Sequence, residues 1–138
     1  MNLPLRQRLV LYQYIAGISD TAAGLFLLIF PIVTLRAMGL GIVPPRAFVR
    51  YIGVFVFCVG LTYIWTLIRW PLNEHDVPVW LTQWKITALI RSLVAICIVS
   101  QIMAQELESR WLAVALFDGV FGAIQYIGLD QGWIERSV

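Results

Sequence analysis

From Leu9 to Phe30 the chain runs almost without a charge, stops at Pro31, and carries one carboxylate, Asp20, at its centre. Three more apolar runs follow, from about Phe48 to Ile68, about Val79 to Met103, and about Trp111 to Leu129. Each is long enough to cross a hydrocarbon core about 30 Å thick at about 1.5 Å rise per residue. The stops between them are short: Arg69-Trp70-Pro71, the polar loop Asn73-Glu74-His75-Asp76, and Glu106-Leu107-Glu108-Ser109-Arg110. Runs this long and this uniformly apolar do not suit barrel strands, so helices are the spanning form. The reading is an all-α, integral membrane four-helix bundle, one transmembrane domain over residues 1–138, with helices at about 9–30, 48–68, 79–103 and 111–129. The third is the least clean, because it contains Lys85 and Arg91.

Composition agrees. The chain is 60% apolar and only 13% charged, with a mean hydropathy of +0.81, whereas soluble domains are about half apolar and a quarter charged. A net charge of +2, with no basic cluster or stripe, excludes a nucleic-acid partner. The expected partners are the lipid bilayer and either other membrane subunits or further copies of the chain.

Few residues could carry chemistry. His75 is the only histidine, which excludes a bis-histidine haem. Glu74-His75-Asp76 reads as a solvated loop rather than a metal site. Cys58 and Cys97 lie at depths of about 12 Å and 27 Å from one side, too far apart for a disulfide, and read as small core residues. There is no glycine-rich phosphate loop, nucleophile elbow or paired-histidine metal motif. No cofactor, no metal and no catalytic residue is expected. Of the five tyrosines, Tyr12, Tyr14, Tyr51, Tyr63 and Tyr126, most read as interfacial.

Arg6 and Arg8 before an apolar run, with Ala16 and Ala22-Ala23 within it, have the format of a secretory leader. The run continues through Gly24 to Phe30, which suits a retained anchor better. Four crossings put both termini on one side, called here the terminal side. It holds five basic residues, Arg6, Arg8, Arg69, Lys85 and Arg136; the far side holds four, Arg36, Arg46, Arg50 and Arg110. The small excess orients both termini to the cytoplasm of a bacterial-type inner membrane. Trp65, Trp70, Trp80, Trp84 and Trp133 fall at the terminal side and only Trp111 at the far side, which reads as an aromatic belt.

The charges inside the runs converge. Measured from the terminal side, Asp20 lies about 16 Å deep, Arg91 about 18 Å and Asp118 about 20 Å. An unpaired charge there costs about 2.5–3.5 kcal/mol, so pairing is expected. Helix one reads Gly17-x-x-Asp20-x-x-x-Gly24 and helix four Ala115-x-x-Asp118-x-x-x-Gly122. Positions i−3, i and i+4 share a face, so each carboxylate sits on a seam of small residues that lets helices approach. Gly53 and Gly60 repeat the device on helix two, and Thr87, Ala88, Val94 and Ala95 form a mostly small face around Arg91. The result is a midplane network of Asp20, Arg91 and Asp118, two acids to one base. The excess acid is balanced by a bound proton or by Lys85 or Arg50 reaching in, although both of those lie near helix ends and are placed to snorkel. Two readings stay open: a device that fixes helix register, or a site for a proton, an ion or a polar substrate.

Phe30-Pro31-x-x-x-Leu35-x-x-Met38-Gly39-Leu40, then Pro44-Pro45-Arg46, Arg50-Tyr51-Ile52-Gly53 and Gly60-Leu61-x-Tyr63, resembles the small four-helix DoxX-like membrane proteins. The resemblance implies a four-helix bundle and a role beside a redox complex, and brings no catalytic residue with it. The leading functional expectation is an accessory or assembly subunit of a larger membrane complex. The alternatives are a small oligomeric transporter of protons, ions or solutes built on the charge network, and a membrane enzyme acting on a lipid or quinone. The last needs a lateral opening towards the charges.

Overall fold

In the computed structural model, residues 4–41 and 44–138 are described. Every regular element among them is helical: α1 Leu5–Ile29, α2 Pro31–Ala37, α3 Arg46–Arg69, α4 Val77–Met103 and α5 Leu112–Asp130, with single 3-10 turns at Glu74–Asp76, Ser109–Trp111 and Glu135–Ser137. α2 is a helix that the sequence did not announce. Phe30, at φ −121° and ψ 56°, ends α1. Pro31 then opens α2 from its first position, where a missing N–H costs nothing. Thr34 spans the break by donating from Oγ1 to the carbonyls of Phe26 (3.1 Å) and Phe30 (2.8 Å).

Three segments, Arg46–Arg69, Glu74–Met103 and Ser109–Asp130, are long and apolar enough to cross a membrane. α1 matches them in length but is more polar, through Tyr12, Gln13, Tyr14, Ser19, Asp20 and Thr21. Two of the polar groups in its middle point inward, with Gln13 0% and Asp20 6% exposed. Its outer face presents Leu11, Ile15, Ile18, Leu25, Phe26 and Ile29.

The long helices pack as two pairs, α1 with α3 and α4 with α5, and the contact between the pairs is much thinner. Glycine brings the first pair together. Gly24 and Gly53 face one another across the seam, and Gly60 lies against the backbone of Asp20 and Thr21. At the terminal end Leu9, Leu72, Trp80, Trp84 and Ile134 form a buried cluster. At the far end Leu35, Leu40 and Val49 form another, closed by Leu27 and Trp111. There Arg110 donates to the Gly39 carbonyl and Glu108 accepts from the Gly41 amide, tying the α2–α3 connection to the turn before α5. Gly39 sits at φ +78°, where a side chain would be strained.

Two expectations need correction. Trp80 and Trp84 are fully buried rather than belt residues. They stand four apart on the inner face of α4, and their indole N–H groups find partners there, Trp80 on the Trp70 carbonyl (2.9 Å) and Trp84 on Gln13 Oε1 (3.1 Å). Trp65 does stand on the outside, at 62% exposure. Cys58 and Cys97 are exposed, not core residues, because their helix faces turn away from both pair seams.

Candidate functional site

Halfway along the helices Arg91 reaches from α4 to every neighbour. It is 2% exposed. Its Nη2 donates to Asp20 Oδ2 on α1 at 2.5 Å and its Nη1 to Asp118 Oδ1 on α5 at 2.6 Å. Its Nε donates to the hydroxyl of Tyr63 on α3 at 3.0 Å. One guanidinium therefore joins all four long helices, using the planar fork that a lysine lacks. The rings of Tyr63, Phe117 and Phe121 lie 5.5, 5.6 and 5.1 Å from its Cζ and enclose the cation in π-faces.

The small residues make this contact possible. Gly60 packs against Asp20 and Thr21, and Gly17 against Tyr63 and Ile64, which holds the carboxylate and the phenol on adjoining turns. Gly122 lies 3.5 Å from the Arg91 Cβ and the Ser92 hydroxyl, measured from where its own Cβ would be, and Ala115 is buried one turn before Asp118. Thr87 and Ala88 are buried beside Arg91, whereas Val94 is exposed. Lys85 and Arg50 are exposed and make no ion pair with either acid, so the cluster holds two carboxylates to one cation.

Towards the terminal side lies a neutral polar layer that the sequence reading passed over. An indole N–H can only donate, so Trp84 fixes Gln13 with its oxygen inward. Gln13 Nε2 must then donate, and it does so to Gln83 Oε1 at 2.8 Å. Thr87 gives its proton to the Gln83 carbonyl and accepts from Gln125 Nε2 at 2.7 Å. The chain of orientations leaves Gln83 Nε2 and Gln125 Oε1 buried without partners. Gln13→Leu should therefore cost about 1–2 kcal/mol, because it strands both the Trp84 donor and the Gln83 acceptor. Gln125→Leu removes an acceptor already unpaired and should fall within about 0.5 kcal/mol of wild type. Unfolding titrations in mixed detergent compare the two, and equal losses would contradict the assigned orientations.

Towards the far side the interior is open and apolar. A cavity of about 600 Å³ lies between the two helix pairs, and Asp20, Arg91 and Asp118 form its floor. Leu27, Val56, Val94 and Phe117 are among its walls. Tyr51 and Phe55 also line it; they meet edge to face at 4.9 Å and are 63% and 58% exposed, so the cavity is unsealed along α3. A second cavity of about 690 Å³ continues the α3–α4 groove towards the terminal side and shares Phe55, Val59 and Ile90 with the first. No cluster of three or more metal-ligating side chains occurs among the described residues. No family model, curated protein or solved structure matches the chain.

Proposed function

We propose that this chain is an integral membrane protein in which α1, α3, α4 and α5 cross the bilayer as a four-helix bundle. Its role is to bind a small lipophilic molecule between the two helix pairs. The carrying observation is the cavity of about 600 Å³ that ends on Asp20, Arg91 and Asp118. A large apolar pocket with a few convergent polar groups is the usual form of a small-molecule site. Intramembrane ionisable groups mark functional positions by default. α1 joins the bilayer because Gln13 and Asp20 at its middle are turned inward, while Leu11, Ile15, Ile18, Leu25, Phe26 and Ile29 face outward. Entry is sideways, past the exposed Tyr51 and Phe55, by the kind of lateral opening that a lipid-soluble ligand needs. Subunits of a larger complex would be served by the same site.

The test combines retention and binding. The protein should stay in the membrane pellet after alkaline carbonate extraction. Apolar aromatic compounds should raise the melting temperature of the purified protein, and Val114→Trp, which fills the cavity wall, should abolish the rise. A soluble protein after extraction would sink the membrane reading. A rise that survives Val114→Trp would sink the binding reading.

A further inference from the structure

The charge count on the cavity floor names the class of ligand. Arg91 is saturated on three sides by Asp20, Asp118 and Tyr63. Each carboxylate spends only one oxygen on it: Asp20 uses Oδ2 and Asp118 uses Oδ1. Among the described residues no donor reaches Asp20 Oδ1 or Asp118 Oδ2, and neither oxygen is sealed away as a buried unpaired atom. Asp20 is 94% buried by residue, since 6% is exposed, and it lines the cavity, as does Asp118. With both acids ionised the floor carries one negative charge in excess and two free acceptors. Neither Lys85 nor Arg50 supplies the balance, which leaves a bound proton or a cation from outside the chain, and a protonated amine brings both.

Such a floor disfavours acceptor-only and anionic ligands. A neutral carbonyl or a phosphate would meet acceptors with acceptors. A cation with N–H bonds supplies both things that are missing, a positive charge and donors. The walls suit its body: Phe117 lies next to Asp118, and Tyr51, Phe55 and Trp111 add further rings, which attract organic cations through their faces. Resting on the binding role proposed above, we infer that the cavity takes a lipophilic monocation, an ammonium with at least one N–H and an apolar aromatic body. Its nitrogen lies between Asp20 and Asp118.

Two probes of matched shape separate this inference from its premise. Dibenzylamine is a protonated secondary amine near neutral pH, and dibenzyl ether replaces its nitrogen with a neutral oxygen. Binding is measured by equilibrium dialysis of protein in nanodiscs against empty nanodiscs, which removes partition into lipid. Wild type should hold the amine at least tenfold more tightly than the ether. Asp118→Asn removes the excess charge and should erase that preference, and a single cooperative thermal melt reports that the variant is folded. Asp118→Glu should restore the preference. Equal binding of amine and ether by wild type, or an undiminished preference in Asp118→Asn, overturns the inference while the cavity reading stands. Binding of neither probe above empty nanodiscs, with Val114→Trp indistinguishable from wild type, overturns both.

Discussion

Arg91→Leu is expected to lower stability by about 3–5 kcal/mol, the range for removing one partner from a buried ionic group. The variant leaves Asp20 and Asp118 facing each other without a cation and takes the donor from the Tyr63 hydroxyl. The triple variant Arg91→Leu with Asp20→Asn and Asp118→Asn should recover most of the loss. Its groups are neutral, and buried ion networks replaced by uncharged side chains of similar volume are often no less stable than the original. Arg91→Lys should fall between the two, because an ammonium keeps the charge but cannot serve three acceptors lying in different directions from one plane. Thermal melts of the four proteins in one detergent decide the matter. Coincident melts for the single and triple variants would show that the charges act independently of one another.

Arg91 meets Asp20 and Asp118 because depth along a helix is an almost linear function of residue number, and three ionisable groups at one depth can scarcely avoid each other. Tyr63 belonged to the same contact, yet a tyrosine in an apolar run reads as an interfacial residue. It lies nearer the terminal side than Arg91 by about two turns. The arginine covers that distance because side chains on a helix lean towards its N-terminus, which for α4 is the terminal end. The signal was available: Tyr63 follows Gly60 by three residues and so shares the inward face with Gly53 and Gly60.

Gln13, Gln83 and Gln125 were overlooked for a different reason. Neutral amides barely disturb an apolar run, though in a dry interior they need partners as charges do. Trp80 and Trp84 were misplaced because their positions near a helix end suited a belt, while their spacing of four already put both on one face. The four long helices were legible from hydrophobic length, whereas the short α2 that Pro31 opens was not. The cavity was not, since it arises from the spacing between helix pairs, which no single helix encodes.

Gly24→Ala should be among the most damaging single-atom additions to this chain, and Gly122→Ala among the mildest. A Cβ on Gly24 would collide with the backbone nitrogen of Phe57 and approach its Cα to 2.6 Å and the Gly53 carbonyl to 2.7 Å. All three are backbone atoms, so no rotamer change relieves the overlap; α1 and α3 must part. Inserting bulk into a packed seam costs about 1–3 kcal/mol, occasionally more, and here a rigid wall places the expected loss at the top of that range. The damage should also spread. α1 carries Asp20, so parting it from α3 draws the carboxylate away from Arg91 and weakens the ion pair that closes at 2.5 Å. At Gly122 an added Cβ would sit 3.5 Å from the Arg91 Cβ and the Ser92 hydroxyl and 3.7 Å from the Ala88 carbonyl, ordinary contact distances. The substitution fills space on the α4–α5 seam and gains up to about 1 kcal/mol of helix propensity. The two variants should melt on opposite sides of wild type. Combining Gly24→Ala with Asp20→Asn should cost less than the sum of the two single changes, because both act on one contact. Strict additivity would mean that the α1–α3 seam holds the helices together without holding the charge network.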